Sequence, residues 1–167
     1  MKKETKKQLL IGAALVLELL FLLLYLNGRI DRLLDSDMSS EMILGQLLAR
    51  NNGILSDQWY YSTELRVLNT QLIYALFFRL SSNWHFVRMA STLVLWCVLI
   101  ASYGVLCRVM GCKKSFGVTA LLLAAPVSES YFRFVLAGVY YVPHLAIAFA
   151  ALALNEACLL YTSDAAD

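Results

Sequence analysis

Gln8 to Leu26 forms an apolar run of 19 residues whose single acidic side chain is Glu18. A helix of that length rises far enough to cross a hydrocarbon core of about 30 Å, so the run is predicted to be a membrane span. Lys2, Lys3, Lys6 and Lys7 precede it, which would also suit a secretory signal peptide. The apolar part is too long for one, and Asn27-Gly28-Arg29 supplies no small-x-small cleavage site. The segment therefore reads as a retained anchor whose start the lysines hold in the cytoplasm.

The rest of the chain continues the pattern. Hydrophobic residues make up 60% of it and charged residues 16%, more apolar surface than a soluble domain of this length hides. All six lysines fall in two clusters, the N-terminal one and Lys113-Lys114. That confinement is a topology signal and not a nucleic-acid-binding one. Phe86 to Cys107 is predicted as a second span, ending at Arg108 and the second lysine cluster. A third begins at Phe116 and runs to about Val127, with Ser128-Glu129-Ser130 approaching the outer side. A fourth begins at Val142. The expected fold class is all-α: a polytopic helical membrane protein of about four transmembrane helices with its N-terminus inside.

Asn27 to about Asn83 is the most polar stretch and by alternation lies outside. Two helical patterns occur in it. The first follows Asp35-Ser36-Asp37, shows an apolar face of Met38, Met42, Leu44, Leu47 and Leu48, and stops at Asn51-Asn52-Gly53. At roughly 13 residues it is too short to span and is expected at the interface. The second, Thr63 to Leu80, carries Arg66, Asn69, Gln71 and Arg79 and is expected to dip in without crossing. Cys158 to Asp167 reads like the translation of a sequencing adapter. Residues 1–157 are accordingly expected to be the N-terminal part of a longer membrane domain, and 158–167 an artefact. Cys97, Cys107 and Cys112 show no zinc-ligand spacing and are expected to be small buried hydrophobes.

Asp35, Asp37 and Glu41 fall within seven residues just beyond the first span, with Asp37 and Glu41 on one helix face. A carboxylate at the mouth of a membrane cavity can act as general base, taking the proton of an acceptor hydroxyl as it attacks a sugar carbon. The plainer reading is that Asp37 or Ser36 caps the following helix and that the acids favour its dipole. The two roles are compatible.

The order of elements resembles the N-terminal third of the GT-C class of membrane glycosyltransferases, which includes protein O-mannosyltransferases and lipid A aminoarabinose transferases. A span comes first, then an acid-led interfacial helix ending in glycine, an aromatic-rich turn, a half-inserted helix, an Asn-Trp break and a span with arginine near its start. Leu34-Asp35-Ser36-Asp37-Met38-Ser39-Ser40-Glu41 matches the acidic segment of that class, Leu68 to Ser82 the half-inserted helix and Asn83 to Gly111 the second span. Two departures stand out. The acidic pair is Asp-x-Asp, and Tyr141-Val142-Pro143-His144 lacks the aspartate that many relatives carry before a proline there. The resemblance implies a cell-envelope enzyme that takes a sugar from a polyprenyl-phosphate donor and transfers it on the outer face. Asp37 would be the general base with Asp35 assisting or binding metal, though spacing alone leaves the reverse assignment open.

In Trp59-Tyr60-Tyr61-Ser62-Thr63-Glu64-Leu65-Arg66, rings can stack on sugar faces, Glu64 and Glu41 can bind hydroxyls, and Arg66 can hold a lipid phosphate. An interfacial aromatic belt would use the same residues. His85 and Arg88 lie where an anionic head group would sit, or serve as interfacial anchors. Glu18, in mid-span, is either protonated, hydrogen-bonded to a neighbouring helix, or functional. Glu129 and Arg133 read as a mutually satisfying pair. No metal-ligand cluster or phosphate-cradling glycine loop is found. No cofactor is assigned, although a divalent cation is compatible with the chemistry. The partners expected are the lipid-linked sugar and membrane lipid, not nucleic acid. The alternative function is a polytopic protein without catalysis, a transporter or lipid-handling scaffold.

Overall fold

The structure, a computed structural model, describes residues 2–61 and 69–164, with side chains over 5–61 and 69–159. Among these residues the chain is helical throughout, with no strand. The elements are α1 (Lys2–Asn27), α2 (Ser36–Asn51), α3 (Thr70–Phe78), α4 (Trp84–Val109), α5 (Lys113–Ala124), a single turn α6 (Glu129–Tyr131) that runs into a π-helical turn (Phe132–Ala137), and α7 (Val142–Asp164). Thr5–Asn27, Trp84–Val109 and Val142–Leu159 are each long and apolar enough to cross a membrane. These helices fit an integral membrane protein. Along α1, Leu9, Leu10, Val16, Leu17 and Leu24 are all at least 64% exposed, an apolar surface that lipid covers and water does not favour.

The third predicted span takes a different form. At 12 residues α5 is only about 18 Å long, short of a bilayer core. Pro126 disfavours helical geometry at the residue before it, and Ala125 is extended, with φ −73° and ψ 135°. The chain then turns by 90° into Glu129–Ala137, so the expected continuous helix to Val127 is a broken one. Glu129 and Arg133, expected to pair, are both exposed and form no ion pair among the described residues. The π-helical turn rotates the side chains of this segment away from the α-helical i, i+4 register that the pairing assumed.

Helix α4 is the hub, packing on α7, α5, α3 and α1. Its main apolar cluster joins Leu22 and Leu26 of α1 with Leu95, Trp96 and Leu99 of α4 and Val135 to Val142 of the π-turn region. At the other end of the bundle a Cβ on Gly117 would meet Ile11 Cγ2 at 2.6 Å. That contact brings the start of α5 beside the first half of α1, so both lysine clusters share one end. Of the three cysteines expected to be buried, only Cys107 is; Cys97 and Cys112 are exposed. For Cys97 a lipid-facing position on α4 satisfies the same apolar preference without burial in protein.

Helices α2 and α3 pack together beside the α1–α4 end. Helix α2 buries Met38, Met42, Leu44, Gly45 and Leu48 and ends at Asn52 with φ 50°, the left-handed conformation that asparagine tolerates best after glycine. Gly45 is the close-approach point: a Cβ there would lie 2.7 Å from Tyr74 Cβ and 3.1 Å from the Gln71 carbonyl. Neither neighbour can yield without moving α3. Gly45→Ala is therefore expected to lower stability by about 1–3 kcal/mol despite the higher helix propensity of alanine, read as a lower midpoint in thermal unfolding in detergent.

Candidate functional site

Asp35 caps α2. Its Oδ1 accepts the Met38 amide at 2.9 Å, and its carbonyl accepts the Ser39 hydroxyl at 2.7 Å. The cap is thus neither Asp37 nor Ser36, because Asp35 is the residue with extended backbone, φ −103° and ψ −179°. The same Oδ1 also accepts the Tyr140 hydroxyl at 2.6 Å across 105 residues of sequence. Burial works against the Asp35 charge. The Met38 amide, the Tyr140 hydroxyl, the Asp37 amide and the field of Arg88 outweigh it and hold the carboxyl below the ordinary aspartate value. Burial and then the Asp35 carboxylate push the Tyr140 phenol far above its usual range.

A carboxyl with a depressed folded pKa stabilises the fold at pH above its unfolded value, here 3.8, and that contribution disappears as pH falls through the lower folded value. Melting midpoints recorded from about pH 5 down to 2 should fall in the wild type by a component that Asp35→Asn lacks. Equal acid sensitivity of the two proteins would show that Asp35 is not held in this way.

Asp37 is placed differently. It is exposed in the first turn of α2 and lines a cleft of ≈ 380 Å³, a size typical of small-ligand sites. Ser40, Glu41 and Leu44 of α2, Gln71 of α3 and the turn residues Trp59, Tyr60 and Tyr61 form one side. Phe134, Tyr140 and Tyr141 close the other. Tyr60 stands at the rim, 90% exposed, whereas Tyr61 is fixed by the Ser56 amide, which donates to its hydroxyl at 3.0 Å. Glu41 reaches the cleft wall but both its oxygens are engaged. Oε1 accepts Asn69 Nδ2 at 3.0 Å and Oε2 accepts the Thr70 hydroxyl at 2.7 Å, so it staples α2 to the start of α3.

The remaining predicted residues lie away from the cleft or outside the described segments. Glu64 and Arg66 belong to the stretch 62–68, which is not described. The His85 ring nitrogens lie 3.1 Å from Asp31 Oδ2 and 3.1 Å from Asn27 Oδ1, tying the end of α1 to the start of α4. Arg88 is 2% exposed and so is not an anchor in the head-group layer. One of its terminal nitrogens contacts the Met38 thioether and lies 3.5 Å from the Ala137 carbonyl. Its Nε and Nη1 are buried without a partner among the described residues. Among the described residues no three of His, Cys, Asp and Glu gather as a cation site. Glu18 has one buried oxygen without a hydrogen bond.

The aromatic wall contributed by Phe134, Tyr140 and Tyr141 is the part that sequence reading missed. Its residues lie some ninety positions beyond α2, and the π-helical turn that presents them has no periodicity of its own. The available signal was Pro126, which breaks α5, followed by the aromatic pair before Pro143. No family model, curated protein or solved structure matches this chain.

Proposed function

We propose that this chain is part of a membrane glycosyltransferase that takes a sugar from a polyprenyl-phosphate donor and transfers it to an acceptor on the outer face of the membrane. The observation that carries the proposal is the division between the two aspartates. Asp35 is consumed as a helix cap, while Asp37 faces an aromatic-walled cleft of ligand size. A carboxylate with no hydrogen-bond partner among the described residues can accept the proton of an acceptor hydroxyl as it attacks. Rings such as Trp59, Tyr60 and Tyr141 stack on the apolar faces of a sugar. Arg88, buried against Met38 with two nitrogens unpaired among the described residues, takes the donor phosphate once the flexible Met38 side chain swings aside. Arg66, outside the described residues, keeps its proposed part in donor binding, whereas both ring nitrogens of His85 are engaged by Asp31 and Asn27.

Orientation follows the positive-inside rule. The end bearing Lys2 to Lys7 and Lys113-Lys114 lies in the cytoplasm, and the cleft opens outside. With native cysteines replaced, Ser40→Cys should react with an impermeant maleimide in intact cells. Reaction only after permeabilisation would reverse the orientation and remove the reading. Donor binding is tested on the chain in nanodiscs, where a polyprenyl-phosphate sugar should change the tryptophan emission of the wild type and leave that of Trp59→Phe unchanged. No response in the wild type would count against the cleft as a donor site.

A second reading, transport without catalysis, has its own support in the broken α5–π-turn segment and in Glu18, since transporters place polar groups and helix breaks at mid-membrane. It predicts that Glu18→Gln abolishes function while Asp37→Asn does not.

A further inference from the structure

The corner between the π-helical turn and α7 is unusually constrained. Val139, fully buried, has φ 53°, a left-handed conformation that is strained for a β-branched residue. Gly138 is required beside it for space: a Cβ there would meet the Arg133 carbonyl at 2.5 Å and the Tyr140 ring at 2.8 Å. The Gly138 amide closes the π-turn on the Arg133 carbonyl at 2.8 Å, and the Tyr140 amide reaches back to the Phe134 carbonyl at 3.1 Å. From α4, Trp96 Nε1 donates to the Leu136 carbonyl at 2.9 Å. Strain of this kind persists only where surrounding structure enforces it. Among the contacts the corner positions is the Tyr140 hydroxyl on Asp35 at 2.6 Å.

We propose that Tyr140 is a positioning residue of the cleft: the Gly138–Val139 corner holds its hydroxyl on Asp35, which keeps Asp35 in the cap and leaves Asp37 as the carboxylate presented to the ligand. The proposal builds on the glycosyltransferase reading only for its kinetic consequence, because the positioning itself is a property of the fold. Without the Tyr140 bond, Asp35 would retain only the Met38 and Asp37 amides and the field of Arg88. The first turn of α2 would then be free to exchange which aspartate caps it. The ring of Tyr140 also walls the cleft, so displacing it changes the shape of the site beside Asp37.

The test places 3-fluorotyrosine at position 140 in the full chain in detergent and follows its fluorine resonance. Asp35→Asn should shift the resonance, since a neutral amide replaces the charged acceptor. Gly138→Ala should move it towards the position of free fluorotyrosine and abolish its response to Asp35→Asn, a loss of coupling that crowding of the ring alone does not produce. Val139→Gly should leave it in place, because glycine adopts φ 53° without strain, while the loss of a fully buried core side chain lowers the melting temperature. In the transfer assay, Tyr140→Phe should lower kcat about tenfold or more with KM unchanged, the rate equivalent of one charge-assisted hydrogen bond. A resonance indifferent to Asp35→Asn, or unmoved in folded Gly138→Ala protein, would overturn the proposal. If the resonances behave as expected but the wild type transfers no sugar, the glycosyltransferase reading fails and the positioning of Asp35 by Tyr140 stands.

Discussion

Asp37→Asn should lower the rate of sugar transfer by about 10²- to 10⁴-fold, the usual worth of a general base, with little loss of stability. The cap of α2 is Asp35, so this substitution leaves the capping bond in place. It removes only a favourable charge near the helix N-terminus, worth about 0.3–1 kcal/mol. Donor affinity should stay close to that of the wild type, because asparagine keeps the shape of the side chain. Asp35→Asn should behave in the opposite way. Asparagine caps about as well as aspartate and its carbonyl oxygen can still accept the Tyr140 hydroxyl, so the cleft keeps its shape. Its rate loss should be under about tenfold, since the group that takes the proton is intact.

Arg88→Met should raise stability and lower donor affinity together. A buried guanidinium with two unpaired nitrogens is costly, and removing it relieves about 1–3 kcal/mol of unsatisfied desolvation. Methionine is close in length and fills the space against Met38 without a charge. On the proposal that Arg88 is reserved for the donor phosphate, the same change removes that phosphate's cation. Thermal unfolding and donor titration on one preparation check both halves. A variant less stable than the wild type would show that Arg88 is a structural keystone on the Ala137 carbonyl and not a cation held for a ligand.

The parts of the fold legible in the sequence are those set by local physics. A run such as Gln8 to Leu26 has one stable arrangement in lipid, because only helical hydrogen bonding satisfies its backbone there. The end of α2 at Asn52 was equally readable from Asn51-Asn52-Gly53. The cap at its start was not. Asp35, Ser36 and Asp37 are all competent caps, and the choice among them falls to the residue whose backbone is extended and to a tyrosine 105 residues away. Glu41 was readable as a neighbour of Asp37 on one helix face. Its bonds to Asn69 and Thr70 depend on how α3 packs across Gly45, which no local pattern encodes. The third span takes its broken form for a related reason: hydropathy runs smoothly through Ala124 and Val127, while Pro126 imposes a geometric break that hydropathy does not register.

The central claim is that Asp37 and not Asp35 does chemistry in the cleft. Transfer from a polyprenyl-phosphate sugar in liposomes, by protein expressed from its native reading frame, measures it directly when wild type, Asp37→Asn and Asp35→Asn are run side by side. The account predicts an active wild type, a slightly impaired Asp35→Asn and an Asp37→Asn variant slower by at least about a hundredfold. Full activity in Asp37→Asn, or loss confined to Asp35→Asn, would contradict it.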